Sequence, residues 1–132
     1  MVMLARPRRP LSILVVDDSR DAADTLAAVL QTVGHDARVA YDPDAALQAA
    51  AADSPDVVLL DVGTCASTGC EMARRLARVG PRRPVLVALT GYAGDGVRDD
   101  CRRGGFDLFV PEPYDPAELL ALLHRYAARD AQ

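Results

Sequence analysis

Four places in the chain put oxygen-bearing side chains directly behind apolar runs. Asp17-Asp18 follow Leu11–Val16, Asp61 closes DVVLLD, Thr90 follows Val85–Leu89, and Glu112 stands just beyond Phe106–Val110. Apolar runs without polar alternation are what strands buried on both faces require. In an open parallel sheet the carboxyl ends of the strands share one edge, and ligands bind along it. Carboxylates crowded on one edge repel, and a counter-charge must hold them ionised. A hard divalent cation with oxygen ligands does so, and Mg²⁺ is content with few carboxylates plus waters. An ionised aspartate beside such a cation is a nucleophile toward a phosphoryl group, with an aspartyl phosphate as product. The Thr90 hydroxyl can donate a hydrogen bond to a phosphoryl oxygen. Singly, each of these residues reads as a turn or a helix cap. Their repetition at successive strand ends singles out Asp61 as the chemical centre.

The remainder of the chain supplies the elements that such an edge needs. After Asp18-Ser19, apolar residues recur at helical spacing at Ala22, Leu26, Val29, Leu30 and Val33, with Ser19 or Asp18 as N-cap and Gly34 as the stop. His35–Ala40 reads as a short strand, and Pro43 starts an alanine-rich helix over Asp44–Ala52, ended by Ser54-Pro55. The small, polar stretch Val62–Thr68 reads as a loop. Gly69–Val79 reads as a helix with Met72, Leu76 and Val79 inward and Arg74, Arg75 and Arg78 in solvent. A fourth helix over Asp95–Arg103 is weak, with few apolar residues and two nearby glycines. Phe106–Val110 forms a fifth strand, and Pro116 opens a last helix with Leu119, Leu120, Leu122, Leu123 and Tyr126. Five strands alternating with five helices through short connections specify an α/β fold. It is a five-stranded parallel sheet with right-handed crossovers and helices on both faces.

Bulk composition narrows the function classes. The chain has 132 residues, 50% of them hydrophobic and 26% charged, which suits one globular domain. Residues 1–10, with Arg6, Arg8 and Arg9 among Pro7 and Pro10, read as a flexible leader before a single domain at 11–132. A net charge of −4 argues against direct nucleic-acid binding. No apolar run reaches membrane-spanning length. Cys65, Cys70 and Cys101 form no CxxC pair, so neither a disulfide framework nor structural zinc is expected and a cytoplasmic setting fits. Cys65, beside the central loop, has nothing near it in sequence to lower its pKa. His35 and His124 sit in surface-type contexts without a partner nearby in sequence.

On these residues the chain resembles a response-regulator receiver domain (CheY-like) from about Leu11 to Ala127. The resemblance rests on ILVVDD at Ile13–Asp18, PDVVLLDVG at Pro55–Gly63, Gly69, ALTGY at Ala88–Tyr92 and FDLFVPEPYDP at Phe106–Pro116. It implies a flavodoxin-like strand order 2-1-3-4-5, with Asp61 as phosphoacceptor and Asp17, Asp18 and Asp61 around Mg²⁺. It also implies Thr90 as switch hydroxyl and Phe109 as switch aromatic. The implied function is two-component signal transduction, in which a histidine kinase or phosphotransfer protein, met at the first helix, supplies the phosphoryl group. The wording of DVG and ALTGY is most similar to receivers attached to, or served by, hybrid sensor kinases. The face of the fourth helix, fifth strand and last helix is the implied surface for a homodimer or downstream target. Such a domain is not an enzyme beyond its own phosphorylation and slow dephosphorylation.

Three departures qualify the resemblance. The family carries a lysine where Glu112 stands, a proline where Cys65 stands and an acid where Thr68 stands. Glu112 reverses a charge that normally pairs with the acceptor carboxylate, and Pro111 removes a backbone donor beside it and is expected to redirect the turn. The alternative function is therefore a phosphorylation-independent pseudo-receiver that acts as an interaction module. A phosphatase of the haloacid-dehalogenase type needs an acid two residues after its nucleophile, and that position is Gly63. A nucleotide-binding protein lacks any glycine-rich phosphate loop after a strand.

Overall fold

The computed structural model describes residues 9–61, 69–91 and 105–130. The loop expected at 62–68, the weak helix expected over Asp95–Arg103, and residues 1–8 of the expected leader lie outside them. The described elements are β1 (Ser12–Val16), α1 (Arg20–Thr32), β2 (Asp36–Ala40), α2 (Pro43–Asp53), β3 (Val57–Asp61), α3 (Gly69–Arg78), β4 (Val85–Thr90), β5 (Leu108–Pro111) and α4 (Pro116–Asp130). The five strands form one sheet in the order β2-β1-β3-β4-β5, and every pairing is parallel.

Alternation along the strands builds two cores. Ile13, Val15, Val57, Leu59, Val87, Leu89 and Val110 join Leu26 and Leu30 of α1 and Leu119, Leu120 and Leu123 of α4. Leu14, Val16, Val58, Leu60, Leu86 and Ala88 face the other way, onto Ala46 and Ala50 of α2 and Met72, Ala73 and Leu76 of α3. The two central strands therefore bury side chains on both faces, which is why their sequences run apolar without a break. Arg74, Arg75 and Arg78 of α3 are exposed, as the helical spacing predicts.

Local chemistry sets the helix ends. The Ser19 hydroxyl accepts from the Ala22 amide at 3.4 Å, and the Asp42 carboxylate from the Ala45 amide at 2.8 Å, ahead of Pro43 in the first turn of α2. Gly34 has φ +102°, a left-handed turn that lets the chain leave α1 for β2.

The amino edge of the sheet is tied by polar contacts. Asp56 accepts from the Ser12 amide at 2.8 Å and pairs with Arg82, while its own amide donates to Ser12 O at 2.8 Å. Asp107 accepts from the Leu86 amide at 2.8 Å and pairs with Arg83 at 3.0 Å. The fifth strand, expected from Phe106, begins at Leu108.

Two sequence expectations need correction. His35 is not a surface residue: it is 4% exposed, its Nδ1 accepts from the Leu11 amide at 3.0 Å, and its Nε2 lies 2.9 Å from Nε2 of His124. The partner is 89 residues away, which no local pattern reveals. Pro111 does not redirect the chain either. β5 continues through it, and the next amide, Glu112 N, donates to Thr90 O at 2.8 Å. On an edge strand the proline's missing donor faces away from the ladder. Among the described residues no helix is long and apolar enough to cross a membrane.

Candidate functional site at the carboxyl edge of the sheet

Strand register puts the candidate residues on neighbouring rows. Val16 is opposite Leu60, so Asp17 continues the row that holds Asp61; Asp61 in turn is opposite Leu89, and Leu89 opposite Val110. One residue further along, Thr90 is opposite Pro111, and Glu112 follows on the next row. The period of two places Asp17 and Asp61 at positions of the face that carries Val15 and Leu59, the face covered by α1 and α4. Four segments distant in sequence thus deliver Asp17, Asp61, Thr90 and Glu112 to one edge.

Each side chain is held differently. Asp17 is 8% exposed; its amide donates to Ala40 O at 3.1 Å, and its carboxylate accepts from the Ser19 amide at 2.9 Å. That turn leads directly into the N-cap of α1, so Asp17 has the structural role a lone strand-end aspartate usually has, as well as its place among the acids. Asp18 is exposed, and Asp61 is half-buried. Thr90 is 4% exposed at the end of β4. Glu112 is exposed, and the Glu112–Pro113 peptide bond is cis. Phe109 is half-buried against the core on the α2 and α3 side, its ring 5.9 Å from that of Phe106.

Sequence reasoning missed Tyr114. This half-buried side chain packs against the core under α1 and α4 and lines a groove with Phe109, Pro113, Leu119 and Leu122. Burial, then the negative charges of Glu112, Asp17 and Asp61, push its phenol above the ordinary tyrosine range. The three carboxylates come from three different segments of the chain. Its signal in the sequence was only its position two residues after Glu112. Beside the acid pair, Arg20 stacks its guanidinium 4.2 Å above the Tyr41 ring, and the Tyr41 hydroxyl donates to Asp24 at 2.6 Å. That hydrogen bond to Asp24 raises the Tyr41 pKa. Together these contacts hold the start of α1 against the end of β2.

Among the described residues the candidate donors at this edge are oxygen atoms, which suits a hard cation. Among the described residues no three carboxylates, imidazoles or thiolates converge closely enough to cage a metal ion. The carboxylates at this edge suit a hydrated divalent cation that takes part of its shell from them and the rest from water. Cys65, Thr68, Gly63 and Tyr92 lie outside the described residues.

Comparison with known proteins agrees with this geometry. A family model described as response regulator receiver domain matches residues 13–124. The response regulator MprA of Mycolicibacterium vanbaalenii is 36% identical over 120 residues, which are 91% of this chain and 52% of that protein. The chain thus spans about half the length of the MprA regulators it matches. A response regulator from Burkholderia pseudomallei, solved with a phosphorylated aspartic acid, a calcium ion and citrate, is 26% identical with a TM-score of 0.76. That match covers 90% of this chain and 71% of the other. A CheY-like receiver domain protein from Methanospirillum hungatei, 21% identical, shares the fold at a TM-score of 0.83, covering 92% and 96% of the two chains. The chain belongs to the response regulator receiver domain family of two-component signalling.

Proposed function

We propose that Asp61 is a Mg²⁺-dependent phosphoacceptor. It relays a signal from a histidine kinase, hybrid or not, or from a phosphotransfer protein, and passes it on by protein contacts. The observation that carries this reading is the strand register, which brings Asp17, Asp61 and Thr90, with Glu112 one row further on, to one edge of the sheet. A carboxylate oxygen of Asp61 attacks phosphorus while the bond from phosphorus to the donor's leaving group breaks, leaving a mixed anhydride on Asp61. A bound Mg²⁺ supplies charge neutralisation at that point. Asp17 and Asp18 are the acids that hold it, together with Asp61. Thr90 donates its hydroxyl to a phosphoryl oxygen, and Phe109 responds in the groove beside Tyr114. Receiver domains are generally not enzymes, and here too chemistry stops at the domain's own phosphorylation and slow hydrolysis. The kinase docks at the first helix, near the acid pair. The face of β5 and α4 serves a second copy or a target, in a cytoplasmic setting.

A second reading is favoured by Glu112 itself. An added carboxylate beside a phosphoryl group disfavours it, and the domain would then be an interaction module that works without phosphate. Beryllofluoride, a mimic of the aspartyl phosphate, separates the two. Fluorine NMR with Mg²⁺ present should give bound resonances that vanish in Asp61→Asn. Their absence from the unsubstituted protein would leave the interaction module as the function.

A further inference from the structure

The two histidines lie at the amino edge of the sheet, away from the acids, and the phosphoacceptor chemistry does not use them. Their contacts leave a single arrangement of protons. A backbone amide only donates, so the hydrogen bond from Leu11 N fixes a lone pair on His35 Nδ1. The proton of neutral His35 is then on Nε2, and it is donated across 2.9 Å to Nε2 of His124. His124 accepts there and keeps its own proton on Nδ1. The rings are tilted by 51° with centroids 5.1 Å apart, so the contact is edge-on and not a stack.

This arrangement excludes a metal at the pair, because the nitrogen that would bind it carries the proton. It also excludes a charged form. A second proton on His35 would set an N–H against the Leu11 amide, and one on His124 would set an N–H against the His35 donor. Each protonation removes a hydrogen bond from a site where His35 is 4% exposed.

We propose that His35 and His124 form a proton-operated latch, closed when both are neutral, that ties α4 to the corner where α1 passes into β2. Backbone contacts also shape the corner: His35 N donates to Leu30 O at 3.1 Å and Asp36 N to Leu11 O at 2.9 Å. Few charges nearby compete for control. Asp36 is exposed and pairs with Arg38 at 3.7 Å, Arg125 next to His124 is exposed, and Gln31 of α1 gives its amide to Ala37 O. Burial and then the other imidazole hold His35 below the usual histidine range, and burial does the same for His124. No described carboxylate acts on either ring to oppose this. Opening the latch removes the polar tie on α4, which stays anchored by Leu119, Leu120 and Leu123 and which supplies Leu119 and Leu122 to the groove beside Tyr114. Acid would therefore loosen the β5 and α4 face without touching Asp61.

The sign follows from the lowered folded pKa values. The unfolded chain binds protons more readily, so the contribution is whole above the ordinary histidine pKa and is lost as pH falls through the folded values. Each proton changes the folding constant by at most about tenfold per pH unit, and the pair by about a hundredfold. The test joins imidazole nitrogen NMR at about pH 8 to urea unfolding from there down to about pH 5. NMR should find His35 protonated on Nε2 and His124 on Nδ1, with protection of α4 amides falling as the rings titrate. His124→Gln offers a carbonyl acceptor that cannot titrate, and should reduce the steepest dependence to about tenfold per unit. The opposite tautomers in the unsubstituted protein would overturn the proposal. An unchanged slope in His124→Gln would overturn it as well.

Discussion

Replacing Glu112 by lysine (Glu112→Lys) should raise the fraction of Asp61 that carries a phosphoryl group, by an amount the register allows us to work out. Glu112 is two residues beyond Val110, and Val110 is two strands from Asp61 in the same row. With strands about 4.8 Å apart and a rise of about 3.3 Å per residue, the two Cα atoms are roughly 12 Å apart. Side chains that reach toward each other over that span bring the charges to roughly 7 Å of one another. Phosphorylation adds about one negative charge at Asp61, and the substitution changes residue 112 by two units. Because Glu112 is exposed, an effective dielectric of about 40–80 applies, which gives about 1–2.5 kcal/mol. The ratio of modified to unmodified protein should therefore rise roughly 5- to 70-fold. The gain should shrink as salt is added, since exposed charges are screened. Intact mass after incubation with acetyl phosphate and Mg²⁺ reads that ratio directly. An unchanged ratio would mean that residue 112 does not act on the phosphoryl position, and the charge argument would be refuted.

Other substitutions probe the frame and the electrostatics. Asp56→Ala removes the acceptor of the Ser12 amide and the partner of Arg82, and urea unfolding should register a loss of about 1.5–3 kcal/mol. Asp42→Ala removes the N-cap of α2 and should cost about 1 kcal/mol in the same assay. Tyr114 should ionise above the ordinary tyrosine range in an ultraviolet titration, and Asp61→Asn should move it back down by removing one of its three negative neighbours. Because the folded pKa is raised, the stability linked to Tyr114 is whole below the ordinary value and falls as pH rises through the folded one. A Tyr114 titration that ignores Asp61→Asn would place the two groups further apart than described.

The runs Leu11–Val16, Asp56–Leu60 and Val85–Leu89 made the central strands legible because burial on both faces leaves no room for polar alternation. Pro43, Gly34 and Ser19 marked helix ends through backbone chemistry that acts locally. The strand order came from resemblance to a family, since periodicity does not say which strand lies beside which. What stayed hidden depends on distance in sequence. His35 finds His124 only after α4 has packed against α1, and Tyr114 gains meaning only from carboxylates on other strands. Asp56 looked like the first residue of a strand, yet its side chain ties β1 and the segment before β4 to the start of β3. Pro111 looked disruptive because a missing donor matters only on the side that faces a neighbour.

The central claim is that Asp61 accepts a phosphoryl group, and site-resolved mass spectrometry tests it most directly. The protein incubated with acetyl phosphate and Mg²⁺ should gain one phosphoryl group, mapped to Asp61, lost when Mg²⁺ is chelated and absent from Asp61→Asn. A protein that stays unmodified at saturating donor and Mg²⁺, or a phosphoryl group found on another residue, would contradict it.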